Sequence, residues 1–158
     1  MSVVVSDTSP LLYLIQCHAS DALPKIFGEV LIPPTVLAEL QHRNCPRVVT
    51  EWLRCPPGWL KIQAPKKVAL SLQVDAGERE AISLADEVQA AALLIDDRRG
   101  RMAAVQQGLR VMGTIGLLEE AARRGLIDFK GAVRELRLTN ARIEAALIEA
   151  AMKRLNLK

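Results

Sequence analysis

Among the residues of this chain, the carboxylates have the types and spacing that most readily support chemistry. Asp7 closes the β-branched run Val3-Val4-Val5, and Asp96 closes the apolar run Ala92-Leu93-Leu94-Ile95. Short apolar runs of this kind read as strands, and the second reads as a central strand buried on both faces. In sheets built from such strands, sites lie beyond the carboxyl ends, so both aspartates belong to one edge and can meet in space. Two glutamates can join them. Glu39 follows Val36 by three positions and precedes Leu40 by one, beside the apolar stripe of its helix, which turns it inward. Glu78 falls in the first turn of a helix opened by Asp75-Ala76-Gly77-Glu78, a D-x-x-E variant of the capping box, one short connection before the Asp96 strand.

Four carboxylates around one pocket raise one another's pKa unless some stay protonated or a divalent cation holds them. Hard oxygen ligands suit Mg2+ or Mn2+, ions that commonly act on phosphate esters. Such an ion polarises a phosphoryl oxygen and acidifies water, so that no histidine base is needed, and these segments contain no histidine. Each acid also has a structural role open to it. Asp7 can cap the turn at Thr8-Ser9, Glu39 can pair with Arg43, Glu78 can complete its capping box, and Asp97 can cap the helix that starts at Arg98.

The elements that must position these acids alternate between strand and helix. Ser9-Pro10 reads as a cap followed by proline at the first helical position, ahead of Leu11, Leu12, Leu14 and Ile15. A second strand spans 29–32, and Pro33-Pro34-Thr35 opens a helix through Leu40. A helix containing Trp52 and Leu53 precedes the break at Pro56-Pro57-Gly58 and an edge strand at 59–62. Beyond Asp97 come a helix over 98–107, a short strand over 109–112, a turn at Gly113-Thr114-Ile115-Gly116 and a helix over 117–124. The C-terminal part is helical, with a start near Thr139-Asn140. Repeated strand–helix units imply an α/β fold, a parallel sheet with helices on both faces.

With 158 residues and no linker or internal repeat, the expectation is one domain over 1–158 with a helical C-terminal extension from about residue 130. Hydrophobic residues at 50% and charged residues at 25% exclude a disordered or collagenous chain. Aromatics at 3% argue against nucleic-acid binding through rows of stacked rings. The formal charge of +3 fits a polyanion partner. Its distribution is uneven: seven acids face the single base Arg79 between Asp75 and Asp97, then Arg98, Arg99, Arg101 and Arg110 follow with no acid. Such a pattern suits a cation at one point and phosphates beside it, or alternating solvated helix faces. Three cysteines without Cys-x-x-Cys spacing signal neither a disulfide framework nor a zinc ribbon, and point to a reducing cytoplasm. The N-terminus has no basic region of a signal peptide, and the longest apolar run falls far short of the ~20 residues of a membrane span, so no membrane association is expected.

Five segments occur in an order that resembles the PIN-domain nucleases, and among them the VapC-like ribonuclease toxins and their close prokaryotic relatives. They are Val5-Ser6-Asp7-Thr8-Ser9-Pro10-Leu11, Pro34-Thr35-Val36-Leu37-Ala38-Glu39-Leu40, Asp75-Ala76-Gly77-Glu78-Arg79-Glu80-Ala81-Ile82, Leu94-Ile95-Asp96-Asp97-Arg98-Arg99-Gly100-Arg101 and Gly113-Thr114-Ile115-Gly116. No one of them is specific, but the ordered set is strong and reaches to about Leu126. The resemblance implies a three-layer α/β/α fold with a central, mainly parallel sheet. It implies a Mg2+- or Mn2+-dependent endoribonuclease that hydrolyses RNA phosphodiester bonds, with Asp7, Glu39, Glu78 and Asp96 as its catalytic and metal-holding quartet. Many relatives carry aspartate at the third of these positions; Glu80 is an alternative ligand there, although the spacing to Asp96 favours Glu78. Asp97 is an extra acid for a second ion or for positioning a water.

By the same resemblance, Thr8, Ser9 and Thr114 support the ligands or touch phosphate, and Arg98, Arg99 and Arg101 hold the RNA backbone or form a solvated helix face. Gly113 to Gly116 raises phosphate binding by amides at a helix start, but a lone G-x-x-G does not support a nucleotide cofactor. A toxin implies a cognate antitoxin, and the C-terminal helix, with its apolar face and the basic residues Arg142, Lys153 and Arg154, reads as a lid or as the contact of a homodimer or higher homo-oligomer. The competing reading is a non-catalytic nucleic-acid-binding or assembly module that retains the fold. A phosphoacceptor signalling domain is disfavoured, because the first strand lacks an acidic pair and no lysine follows residues 109–112. No single residue separates RNA from DNA.

Overall fold

The β-branched and leucine runs pair into one sheet. In the computed structural model, which describes residues 2–158, β1 (Ser2–Ser6), β2 (Gly28–Ile32), β3 (Leu60–Ile62), β4 (Leu93–Leu94) and β5 (Val111–Met112) are all parallel, in the order β3-β2-β1-β4-β5. The chain therefore lays down β1, builds outward through β2 to β3, then returns across β1 to build β4 and β5 on the other side. Connections leave the carboxyl ends of β1 and β4 in opposite directions, which opens a crevice where ligands sit in sheets of this kind. Ser6 pairs with Leu94, and the Asp7 N–H donates to the Leu94 carbonyl at 2.8 Å. Asp7 and Asp96 thus stand just past the ends of adjacent strands.

Alternation along the strands divides the core into two layers. Val4, Val30, Ile32, Leu60 and Leu94 pack against α1 (Thr8–Gln16), α3 (Pro34–Leu40), α4 (Arg47–Arg54), α7 (Thr114–Arg123), α8 (Phe129–Leu136) and α9 (Ala145–Arg154). Leu23 of the short α2 (Ala22–Ile26) joins the same side. Val5, Leu31, Leu93 and Ile95 pack on the opposite side against α5 (Ala76–Glu87) and α6 (Arg98–Gln106). The result is the three-layer α/β/α arrangement expected from the sequence. Among the described residues, no helix is long and apolar enough to cross a membrane.

Several element boundaries differ from the sequence reading, each for a local physical reason. Helix α1 starts at Thr8 with Asp7 as its N-cap, not at Ser9-Pro10. Pro10 sits in the first turn, where a missing N–H costs nothing because those amides have no partner within the helix. Helix α7 starts at Thr114, so Gly116 lies inside the helix and not in a preceding turn. Thr139 ends a helix and does not start one: its hydroxyl donates to the Leu136 carbonyl at 2.6 Å and accepts from the Ala141 N–H at 3.1 Å, and α9 begins only at Ala145.

The strand that carries Asp96 is held by full burial of its leucines. Leu94→Ala should destabilise the protein by about 2–5 kcal/mol, the usual cost of a leucine-sized core deletion. Urea denaturation monitored by circular dichroism would check this; a loss within 1 kcal/mol or so would mean that the site floor is not anchored by this layer.

Candidate active site

Burial makes Asp7 the critical carboxylate of the crevice. It is 6% exposed, with an extended backbone at the head of α1 and no side-chain capping bond. Its side chain makes no capping bond to α1, and the Thr8 N–H is the one backbone group that acts on it. Burial pushes its carboxyl from 3.8 up to about 7; the backbone N–H of Thr8 pulls the other way, and the charges of Asp75, Glu39 and Asp96 add to the rise.

Glu78 is the second buried acid, 7% exposed. Its own backbone N–H donates to Asp75 at 2.8 Å, completing half of the expected capping box. The carboxylate is spent elsewhere: it lies against α6, where a Cβ on Gly100 would stand 2.5 Å from Glu78 Oε2 and 2.7 Å from Ile95 Cδ1. A side chain at position 100 would force these two side-chain ends to shift. Burial, then the side chain of Asp75, then the charges of Asp97 and Asp7 push Glu78 from 4.5 up to about 8. Glu80 points another way and accepts from the Thr35 hydroxyl of α3. Two residues along a helix rotate a side chain by about 200°, so only one of this pair can face Asp7; it is Glu78.

Glu39 is exposed, not turned inward among the apolar side chains of α3. It nonetheless bends toward the crevice. Its carboxylate accepts from the Thr8 hydroxyl, and a Cβ on Gly77 would meet its Oε1 at 2.5 Å. Among the described residues it makes no ion pair with Arg43. Asp96 is held at both oxygens by one residue: the Thr114 N–H donates to Oδ1 and the Thr114 hydroxyl to Oδ2, each at 2.7 Å. A carboxylate at the start of α7 also complements the helix dipole. This use of Thr114 removes it from a free phosphate loop. Asp97 caps α6 by accepting from the Gly100 N–H at 3.0 Å, while its charge still reaches Glu78.

The arginines divide. Arg98 and Arg101 line a cleft of about 1360 Å³ that also includes Ser9, Asp96, Asp97 and Thr114, whereas Arg99 is exposed and outside it. Arg101 is partly tied down by donating to the Ile95 carbonyl at 3.1 Å. The sequence reading missed Asp75 as a member of the cluster, because its capping motif accounted for it fully. Its charge acts on both Asp7 and Glu78, which only their spatial proximity reveals.

Asp7, Glu39, Asp75, Glu78, Asp96 and Asp97 thus form a cluster of oxygen donors in which the buried pair, Asp7 and Glu78, is raised. Among the described residues, no three of these side chains stand ready to close around a single ion. For Asp7 the sign of the pH dependence is fixed. The folded chain keeps a proton between about pH 3.8 and 7 that the unfolded chain has lost. The stability from the neutral carboxyl is complete below the lower value and is lost as pH rises through the upper one. In chelator-treated protein, Asp7→Asn should therefore be more stable than wild type at pH 8, by on the order of 3 kcal/mol, with the gap narrowing toward pH 5. Thermal melts at the two pH values would decide; a variant less stable than wild type at pH 8 would show that the charge is already compensated.

Comparisons with known proteins agree with this geometry. A comparison with curated proteins found no match. Among solved structures, the chain is similar to a PilT N-terminus domain protein from the hyperthermophilic archaeon Sulfolobus solfataricus P2, with a TM-score of 0.55 at 16% identity, covering 75% of this chain and 92% of that one. At that identity the likeness concerns the fold. The model of the DUF3368 family, described as a PIN domain, matches residues 3–157. A sheet ordered β3-β2-β1-β4-β5 with acids at its switch point, matched over almost its whole length, places this chain in the PIN-domain family, with the nuclease-type fold of that family.

Proposed function

We propose that this protein is a divalent-metal-dependent endoribonuclease. The observation that carries the reading is the pair of buried carboxyls, Asp7 and Glu78, gathered with Asp96 at the switch point of the sheet. Buried acids without cationic partners cost stability and are retained where something else is gained. A Mg2+ or Mn2+ ion fits the donor set, which is all carboxylate with hydroxyl support. Asp7, Glu39, Glu78 and Asp96 would hold it by drawing closer together than they stand without it, with Asp97 adjacent. When bound, the ion supplies Lewis-acid stabilisation of the charge that develops on a phosphodiester as water attacks.

The chain's own residues supply the remainder. Asp7 and Glu78 would have to give up their protons to hold a cation, which would favour binding as pH rises through about 7 and 8. Thr114 and Thr8 fix Asp96 and Glu39 by their hydroxyls, which limits the rotamers these carboxylates can take. Arg98 and Arg101 line the cleft next to Asp96 and offer charge to the phosphates on either side of the reacting one. A toxin role with a cognate antitoxin, which follows from the resemblance to VapC-like proteins, and self-association, which follows from the apolar face of the C-terminal helix, are part of this proposal.

Calorimetric titration of Mn2+ into the chelated protein should show binding with proton release, tighter at pH 8 than at pH 6. Asp7→Asn should weaken it by roughly tenfold or more. With Mg2+ or Mn2+ present, the wild type should cleave RNA internally, and Asp96→Asn should lower kcat/KM by about a hundredfold or more. RNA binding that is unaffected by metal and by Asp7→Asn, with no cleavage, would favour a binding module in its place.

A further inference from the structure

The sequence has two tryptophans, two phenylalanines and one tyrosine. Four of these rings are committed elsewhere. Trp52 and Trp59 pack on each other with centroids 5.8 Å apart, and Phe27 and Phe129 are buried. Tyr13 is the one aromatic that lines the cleft beside the carboxylates, and it is only half-buried.

Its place follows from α1. Asp7 occupies the N-cap position of that helix and Tyr13 lies six residues on, about 9 Å along the axis. Ser9 and Tyr13 are one turn apart on the same face, and both line the cleft with Asp96. The phenol is near enough to Asp96 for that charge to act on it. Met112 and Ile115 line the same cleft, giving the ring apolar company. An aromatic side chain that lines the cleft with Asp96 and Asp97 is placed to meet a base whose own phosphate lies at those acids.

We propose that Tyr13 forms a nucleobase subsite: a base next to the cleaved phosphate leaves its neighbours and stacks on the Tyr13 ring, which positions that phosphate at the carboxylates. This rests on the ribonuclease reading above. Stacking on one ring is tolerant of base identity, because every base has a π-face, and it requires an unpaired base. It needs no row of aromatics, so the low aromatic content is no obstacle.

The test compares wild type, Tyr13→Phe and Tyr13→Leu on a pool of single-stranded oligoribonucleotides with Mn2+, with thermal melts run alongside. Wild type is also photocrosslinked to the same pool carrying 5-iodouridine, in chelator, and the attached peptide is mapped by mass spectrometry. The expected result is a crosslink at Tyr13, wild-type behaviour for Tyr13→Phe, and a KM about tenfold higher for Tyr13→Leu with kcat within about threefold. A folded Tyr13→Leu with wild-type KM, or crosslinks that map only elsewhere, would overturn the subsite and leave the ribonuclease reading standing. A wild type that neither cleaves nor crosslinks RNA would overturn both.

Discussion

Like charges brought together without counter-charge are the constraint on which the rest of this structure depends. The sheet order brings Asp7 and Asp96 to neighbouring strand ends, and α3, α5 and α6 bring Glu39, Asp75, Glu78 and Asp97 around them. Such a cluster is tolerated only because the chain limits its cost in three ways. Some carboxyls keep their protons near neutrality, as Asp7 and Glu78 do. Others take hydrogen bonds from hydroxyls and amides, as Asp96 does from Thr114 and Glu39 from Thr8. Glycines at 77 and 100 give the carboxylates room where any side chain would strike them.

The same constraint explains why the positive charge is kept to one side. Arg98 and Arg101 follow the cluster on α6 and line the cleft without forming ion pairs to its acids. An arginine paired directly with Asp7 would relieve the strain of burial and also remove the pull on a cation. Farther along the cleft the arrangement is conventional: Arg154 of α9 grips Glu119 of α7 with contacts of 2.8 to 3.1 Å, and Arg123 shares that carboxylate at 2.7 Å. There the acid is lowered below its ordinary range by its arginine partners, the opposite of what happens at the crevice. One fold thus keeps paired charges for joining helices and unpaired ones for its site.

Much of this was legible in the chain. A strand that ends in an acid announces itself through local pattern: the apolar run gives the strand, and its abrupt stop places Asp7 and Asp96. Parallel pairing follows from the alternation of strand and helix, and with it the edge at which both acids lie. Helix ends were less legible. Pro10 and Gly116 pointed to starts a residue or more late, because a first turn tolerates both residues without objection. Thr139 was misread because a hydroxyl that satisfies the last carbonyls of a helix looks, in sequence, like one that opens the next.

What the sequence by itself determined is the pair of strand-end aspartates, the strands that carry them and the α/β class, since each rests on residues near one another along the chain. What only the tertiary structure decided is which acid faces which. Glu78 rather than Glu80 looks toward Asp7, Asp75 acts on both buried acids, Thr114 is spent on Asp96, and Tyr13 lines the cleft. These are pairings between α1, α3, α5, α6 and α7, elements separated by tens of residues. They are set by how helices rotate when their apolar faces seat on the sheet, and no local pattern encodes that rotation.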